Sequence, residues 1–159
     1  IYTSFKWIPL YDYLKTKTKA GKIGTIGWCF GGTSSLNTAL LLPQKIDATV
    51  IYYGSGIESD RDRLKVLEMP ILGIFAELDQ SISVAKVKQF EQTLKSLGKS
   101  VEIDIYPNAD HAFANPSGTR YNATAAEDAW KKTIAFLKKN LHTWCHKLIT
   151  ITRKITVGT

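Results

Sequence analysis

Short apolar runs that alternate with longer amphipathic stretches constrain the fold of this 159-residue chain more than any other feature. The runs predict four strands, at Lys22–Ile26, Ala48–Tyr52, Ile71–Phe75 and Val101–Ile105. The second and third are apolar at nearly every residue, as strands buried on both faces of a parallel sheet are. Because strands alternate with helices, we predict an α/β fold with a mostly parallel sheet and flanking helices.

The stretches around these runs have the spacing of helices that bury one face. They predict helices over Gly31–Leu42, from Ser83 to Leu97, over Ala125–Leu141 and around Trp7–Lys17. Pro43 stops the first, while Ser83 caps the second and Gly98 ends it. In the last of these, Pro9 lies inside the predicted helix unless the helix starts there, and proline is tolerated in the first turn of a helix but not in its interior.

The segment KIGTIGWCFGG, residues 22–32, places Cys29 directly after the first predicted strand and before a helix. A nucleophile there sits on a sharp, strained turn, where bulky residues two positions to either side would clash. Gly27 and Gly31 hold those positions, so the sequence predicts a nucleophile elbow with an exposed thiol. The helix N-terminus favours a thiolate, and the N–H of Phe30 is predicted to point at the oxyanion of a reacting carbonyl. The alternative is a tight turn around a buried, inert cysteine.

Hydrolases with this elbow place the nucleophile, the acid and the histidine in that order along the chain. Asp79 follows the third predicted strand and His111 follows the fourth, so both are expected at the same sheet edge as Cys29. Glu77 is a rival acid closer to its strand. A turn, a cap or a solvated loop explains each residue alone, but the three together favour a catalytic group. Glutamine amidotransferases also have a Cys between glycines, but their His followed closely by Glu is absent from this sequence.

Five motifs together resemble the dienelactone hydrolase family of α/β-hydrolases, over roughly residues 7–141. They are KIGTIGWCFGG, IYYG, PILGIFAELDQSI, YPNADHAFANPSGTRY and AAEDAWKKTIAFLKKNL. The resemblance implies a partial α/β-hydrolase fold that cleaves small-molecule esters or lactones through a Cys-His-Asp triad, with no metal and no cofactor. It implies Cys29 as nucleophile, His111 as general base and then acid, and Asp79 as the group that orients His111. The N–H of Phe30 would be one donor of the oxyanion hole.

Members of this family have substantial chain upstream of the matched segment, which carries the first strands and the second oxyanion donor. The present chain begins with Ile1 and not Met, so we expect residues 1–141 to be the C-terminal portion of such a domain. Its strand at Lys22–Ile26 would then have an unpaired edge, which is an aggregation risk. The alternatives are a catalytically silent fragment and another α/β-hydrolase activity, such as a peptidase or a sugar-ester esterase.

Tyr53 and Gly54 follow the second predicted strand at the same sheet edge and are candidate substrate-binding residues. Packing in the core is the alternative for Tyr53 and for its neighbour Tyr52. Trp28 and Phe30 flank the cysteine, and for their side chains a place in the core or in the pocket wall is the default interpretation.

The net charge of +7 comes from 21 basic and 14 acidic residues. The lysines are spread along the chain, which is typical of solvated helix faces and not of a nucleic-acid surface. The two cysteines do not form a disulfide framework, and the apolar runs are too short to cross a bilayer. We therefore expect no nucleic-acid partner and no membrane partner, and a cytoplasmic monomer.

The segment 142–159 has no assigned role. His142, Cys145 and His146 have a spacing that could ligate zinc, but no fourth ligand is evident, so an ordinary helix end is expected. The sequence LITITRKITVGT that follows alternates like a strand, and either an extra edge strand or a non-native terminus would explain it.

Overall fold

Five helices and four strands form between residues 4 and 142, the part of the chain that the computed structural model describes, with side chains from residue 7 onward. In chain order they are α1 (Ser4–Thr16), β1 (Gly24–Trp28), α2 (Phe30–Leu41), β2 (Ala48–Tyr52), α3 (Arg61–Leu64), β3 (Ile71–Ala76), α4 (Val84–Ser96), β4 (Val101–Tyr106) and α5 (Ala123–Leu141).

The four strands form one parallel sheet in the order β1-β2-β3-β4. In its register Trp28 lies opposite Tyr52, and Tyr52 lies opposite Ile74. The carboxyl ends of the strands therefore meet at one edge of the sheet. Helices α2 and α4 pack on one face of the sheet and share one apolar cluster. Helix α5 packs on the other face over a second apolar cluster. The predicted α/β fold with a parallel sheet and flanking helices is confirmed.

The two outer strands of the described sheet differ in charge. Strand β4 carries Glu102 and Asp104, and Lys132 of α5 lies 2.7 Å from the Asp104 carboxylate. Strand β1 has no charged residue, and its Ile26 and Trp28 are 37% and 41% exposed. Charged side chains discourage an edge strand from pairing with other chains, so β4 has this protection and β1 lacks it. Within residues 4–142, no strand pairs with the outer edge of β1.

Strand β1 differs from the prediction by two residues, since it covers Gly24–Trp28 and not Lys22–Ile26. The N–H of Ile23 donates to the Asp47 side chain at 2.8 Å, which fixes the chain before the strand. The ladder with β2 then continues as far as Trp28, so the strand ends directly at Cys29.

The first helix predicted around Trp7–Lys17 forms as α1, which begins at Ser4 and therefore contains Pro9 in its interior. A proline there removes one helical hydrogen bond. The side chains of Trp7 and Tyr11 pack against the core cluster beneath the helix, which offsets that loss. The short helix α3 was not predicted, and Asp60 caps it by accepting the N–H groups of the next turn.

The remaining helix ends follow from local capping. Ser83 accepts the N–H of Lys86 at 3.3 Å at the start of α4, and Gly98 has a φ of 70° just after its end, as predicted. Helix α5 begins at Ala123, two residues before the predicted start, because the side chain of Asn122 accepts the N–H of Ala125 and caps it.

His142 follows the last residue of α5, and Cys145 and His146 of the zinc hypothesis lie outside the described residues, as do the possible strand and the rest of the tail. Between residues 4 and 142 there is no cluster of three His, Cys, Asp or Glu side chains that could hold a metal ion. None of the described helices is long and apolar enough to span a bilayer.

Candidate active site

Cys29 lies in a strained turn between β1 and α2. Its φ of 55° and ψ of −120° are rare for a residue with a side chain, and it precedes the first residue of α2. Its N–H donates to the Tyr52 carbonyl at 3.0 Å, and its own carbonyl accepts the N–H groups of Gly32 and Thr33. The thiol is exposed, so the alternative of a buried cysteine does not apply.

The glycines around the turn have different roles from those expected. A Cβ at Gly27 would lie 2.0 Å from the Gly31 carbonyl oxygen, so only glycine fits there. A Cβ at Gly31, however, would meet nothing within 4 Å, and the expectation that a side chain there would clash is wrong. The second crowded position is Gly32, where a Cβ would lie 2.5 Å from the Tyr52 carbonyl oxygen. Because α2 packs closely against both β1 and β2, its packing requires glycine at Gly32 and not at the predicted Gly31.

The side chains of Cys29, His111 and Asp79 form one hydrogen-bonded series at the carboxyl edge of the sheet. The Nε2 atom of His111 lies 3.1 Å from Sγ of Cys29, and its Nδ1 atom lies 2.7 Å from Oδ2 of Asp79. The other carboxylate oxygen of Asp79 accepts the N–H of Ser81 at 2.7 Å. The residues reach this edge after β1, β4 and β3 respectively. This arrangement could transfer a proton from the thiol to the imidazole while the carboxylate holds the ring.

Glu77, the rival acid, is occupied elsewhere. Its carboxylate accepts the N–H of Asn108 at 3.1 Å, and it bridges the loops that follow β3 and β4. Of the two acids after β3, Asp79 is the one within hydrogen-bonding distance of His111.

Phe30 is the first residue of α2, directly after Cys29. The N–H groups in the first turn of a helix have no carbonyl one turn earlier in the helix to bind, so the N-terminus of a helix next to Sγ favours an anion there. The ring of Phe30 is 75% exposed and belongs to neither core cluster. The N–H of Phe30 as an oxyanion donor stays a prediction from the sequence.

Tyr53 lies behind the imidazole ring. Its own ring is 2% exposed, and its centroid is 5.2 Å from that of His111 in an edge-on contact. Burial, and then the neighbouring Tyr52, raises the pKa of Tyr53 to about 12, so its phenol is neutral at ordinary pH. Gly54 packs deeper, where a Cβ would lie 2.7 Å from the Thr33 nitrogen. It supports the close approach of β2 and α2.

A cavity of about 350 Å³ opens beside the thiol. Its lining consists of Trp28, Cys29, Tyr53, Ala112, Ala114, Asn115 and Pro116. Three of these residues, Cys29, Tyr53 and Ala112, have positive φ angles, of 55°, 34° and 64°. Left-handed backbone at non-glycine residues often accompanies functional sites. The wall residues Ala112, Ala114, Asn115 and Pro116 were not predicted as site residues, although they follow His111 within the motif YPNADHAFANPSGTRY.

The comparison with protein families decides which family this fold and site belong to. The model of the dienelactone hydrolase family matches residues 9–141. The chain belongs to the dienelactone hydrolase family. This family assignment, and the α/β-hydrolase superfamily that contains it, agree with the resemblance seen in the sequence motifs.

Individual relatives are similar to most of this chain. A carboxymethylenebutenolidase homologue of Xenopus tropicalis is 35% identical over 138 residues, which are 86% of this chain and 53% of that protein. The protein usf of Aquifex pyrophilus is 35% identical over 135 residues, which are 82% of this chain and 57% of that protein. The chain thus spans about half the length of the curated relatives that it matches.

Solved structures agree on the fold. A dienelactone hydrolase-like promiscuous phosphotriesterase from metagenomic libraries superposes with a TM-score of 0.77 at 19% identity. The superposition covers 88% of this chain and 62% of that one. At this level of identity the similarity shows the α/β-hydrolase fold and carries no information on the substrate.

Proposed function

We propose that this dienelactone hydrolase family chain carries the nucleophile, the general base and the orienting acid of a hydrolase that cleaves carboxylic esters or lactones. The observation that carries the proposal is the distance of 3.1 Å between Sγ of Cys29 and Nε2 of His111 at a strained strand–helix turn. Family membership supports the reaction class.

In the proposed reaction Nε2 of His111 takes the proton of the Cys29 thiol, and Sγ attacks the carbonyl carbon of the substrate. The bond to the leaving oxygen then breaks, and His111 returns the proton to that oxygen. The acyl group stays on Sγ as a thioester. A water molecule, deprotonated by His111, attacks the thioester and releases the acid and the thiol.

Asp79 acts through His111 in this scheme. Because its carboxylate can only accept hydrogen bonds when ionised, it keeps the proton of the imidazole on Nδ1 and leaves Nε2 facing the thiol. It also stabilises the imidazolium that forms when the thiol loses its proton.

The N–H of Phe30 is our candidate for one oxyanion donor, since it lies at the N-terminus of α2 next to the nucleophile. Tyr53 is our candidate for a substrate contact, because it lines the cavity beside Cys29. Gly54 lies behind the cavity wall, so we propose that it supports the substrate-binding residues without contacting the substrate. A cytoplasmic monomer remains a prediction from the sequence.

Hydrolysis of p-nitrophenyl acetate by the chain and by Cys29→Ala tests the proposal. We expect turnover that disappears in the variant, while Cys145→Ala, which removes the second cysteine, keeps it. Equal rates for the parent and Cys29→Ala, with circular dichroism showing both folded, would overturn the proposal and favour a catalytically silent chain.

A further inference from the structure

We propose that Tyr53 is a positioning residue for the general base, because its buried ring holds the imidazole of His111 at the tilt that directs Nε2 to Sγ of Cys29. The inference rests on the proposed ester hydrolysis at Cys29. It adds a residue that takes no part in the proton transfer and fixes the geometry in which the transfer occurs.

The hydrogen bonds of the imidazole leave its tilt free. Nδ1 lies 2.7 Å from Oδ2 of Asp79, and Nε2 lies 3.1 Å from Sγ of Cys29. A hydrogen bond tolerates tens of degrees of misalignment before it weakens steeply. A tilt of the ring about the bond to Asp79 changes the direction of the electron pair on Nε2, which must accept the thiol proton. A further contact is therefore needed to hold the ring.

Tyr53 makes that contact from the end of β2. Its ring centroid lies 5.2 Å from that of the imidazole, and the two planes are 60° apart, an edge-on geometry that aromatic pairs prefer. Tyr53 is 2% exposed, and its backbone N–H donates to the carbonyl of Ile74 at 2.7 Å. The imidazole is thus contacted from three places: by Cys29 after β1, by Tyr53 after β2 and by Asp79 after β3.

A series of buried rings keeps Tyr53 in place. Phe113 is completely buried, and its ring centroid lies 5.5 Å from that of Tyr53. Tyr106 lies 5.3 Å beyond Phe113, and its hydroxyl donates to Asp128 of α5 at 2.7 Å. Because a protein interior is close-packed, a ring with such neighbours on one side does not yield when the imidazole presses on the other.

The same ring contacts the loop that carries the base. Phe113 follows His111 by two residues, so Tyr53 touches both the imidazole and the segment that delivers it to the site. Ala112 between them has a φ of 64°, a conformation that persists only where the surroundings impose it. Tyr53 is therefore placed to fix the direction in which the His111 side chain leaves the backbone as well as the tilt of its ring.

Alkylation of Cys29 by iodoacetamide, followed by mass spectrometry of its peptide, reports the proton transfer without any ester. Only the thiolate reacts, so the rate at pH 7 depends on His111, whereas at about pH 9.5 an ordinary thiol is ionised without help. We expect Tyr53→Leu to slow alkylation at pH 7 at least about fivefold and to leave the rate at pH 9.5 within about twofold of the parent. Equal rates at pH 7, or the same loss at both pH values, would overturn the inference.

Two matched variants separate the ring from general loosening of the core. Tyr53→Phe keeps the ring and should alkylate at pH 7 within about twofold of the parent rate. Phe136→Leu removes a buried ring of α5 from the same apolar cluster, and it should also leave the rate within about twofold. If Phe136→Leu slows alkylation at pH 7 as much as Tyr53→Leu does, with circular dichroism showing both folded, the inference is overturned.

The kinetics of p-nitrophenyl acetate hydrolysis separate positioning from substrate contact, since Tyr53 also lines the cavity. A misplaced base lowers kcat, so Tyr53→Leu should lower kcat at least about tenfold and change KM by less than about threefold. A rise in KM with kcat unchanged would leave Tyr53 a substrate contact and overturn the inference. Slower alkylation of Tyr53→Leu at pH 7 together with no hydrolysis by the parent would uphold the positioning role and overturn the proposed hydrolase.

Proton nuclear magnetic resonance of the parent protein covers the case in which Tyr53→Leu does not fold. The imidazole C–H resonances of His111 are assigned by their absence from His111→Ala, and the ring resonances of Tyr53 by comparison with Tyr53→Phe. A ring held at one tilt should give nuclear Overhauser effects between the two side chains. Their absence would show that the imidazole turns away from Tyr53, and the inference would fail.

Discussion

The Oδ2 atom of Asp79 lies 2.7 Å from Nδ1 of His111, and the Asp79 side chain is completely buried while that of His111 is 12% exposed. The Ser81 N–H occupies the other carboxylate oxygen. Asp79 is thus held on both sides, and Nε2 is the nitrogen of His111 that lies near the thiol.

Replacing Asp79 with asparagine should lower kcat for ester hydrolysis by about 10³-fold or more. The amide nitrogen can donate to Nδ1, which favours the tautomer with the proton on Nε2 and leaves no free electron pair to accept the thiol proton. The measurement is kcat for p-nitrophenyl acetate in both proteins. A decrease of less than about tenfold would contradict the role of Asp79 in orienting His111.

The matched control for that variant is Glu77→Gln, which removes the rival carboxylate. Glu77 accepts a backbone N–H of the neighbouring loop and does not contact His111. The glutamine oxygen can accept the same N–H, so kcat should change by less than about threefold. A loss as large as that of Asp79→Asn would transfer the orienting role to Glu77.

The turn at Cys29 should tolerate alanine at one flanking glycine and not at the other. Gly27→Ala would place a Cβ 2.0 Å from the Gly31 oxygen, so we expect a loss of at least about 3 kcal/mol in the free energy of unfolding. Gly31→Ala meets nothing within 4 Å and lies in a helix, so it should stabilise by about 0.5–1 kcal/mol. Urea denaturation of the two variants measures both values, and similar values would refute this account of the elbow.

The buried hydroxyl of Tyr52 is hydrogen-bonded to Thr133 of α5 at 2.7 Å, its one side-chain partner among the described residues. Thr133→Val keeps the shape of the side chain and leaves the phenol without its partner, so we expect a loss of about 1–3 kcal/mol in unfolding free energy. The double variant with Tyr52→Phe should recover part of that loss, because no polar group is then left unpaired. If the loss of unfolding free energy in the double variant equals the sum of the losses in the two single variants, packing and not the hydrogen bond accounts for the effect.

Alkaline solution should destabilise the fold through its buried tyrosines. Burial raises the pKa of Tyr52 and Tyr106, and it raises that of Tyr53 to about 12. Because the unfolded chain loses these protons near pH 10, the native state binds more protons above that pH, and stability falls as the pH rises from about 10 to 12. Below about pH 10 their contribution to stability is fully present.

Urea unfolding at pH 9 and pH 11 checks this alkaline loss. Tyr53→Phe should reduce the loss of stability, because the native and unfolded states then no longer differ in the proton that Tyr53 binds. The control is Tyr121→Phe, at a residue that is 42% exposed. Equal unfolding free energies for the parent protein at the two pH values would refute the argument.

Much of this fold follows from local pattern. Strand β2 matches its predicted bounds, and β3 is longer by one residue, because continuous apolar runs leave few alternatives inside a parallel sheet. Helix α4 also follows the sequence, since Ser83 and Gly98 mark its ends. The position of β1 did not follow, because its register depends on pairing with β2 and on the Asp47 side chain, which are contacts across the fold.

The candidate site shows the same division. The order of Cys29, Asp79 and His111 along the chain, each after a strand, is sufficient to predict that they meet at one edge of the sheet. The requirement at Gly32 instead of Gly31 comes from the distance between α2 and β2, which no local pattern records. The left-handed backbone at Tyr53 and Ala112 is likewise imposed by surroundings that are distant in sequence.

The three residues with left-handed backbone have a consequence for whether the site or the secondary structure is lost first on heating. Cys29, Tyr53 and Ala112 each hold an unfavourable backbone conformation only while the packing around them stays tight. We expect a small loosening that leaves the sheet intact to let all three relax, so that the thiol, the aromatic wall and the loop after His111 move apart together. On gentle heating, hydrolysis of p-nitrophenyl acetate should therefore be lost before the far-ultraviolet circular dichroism changes.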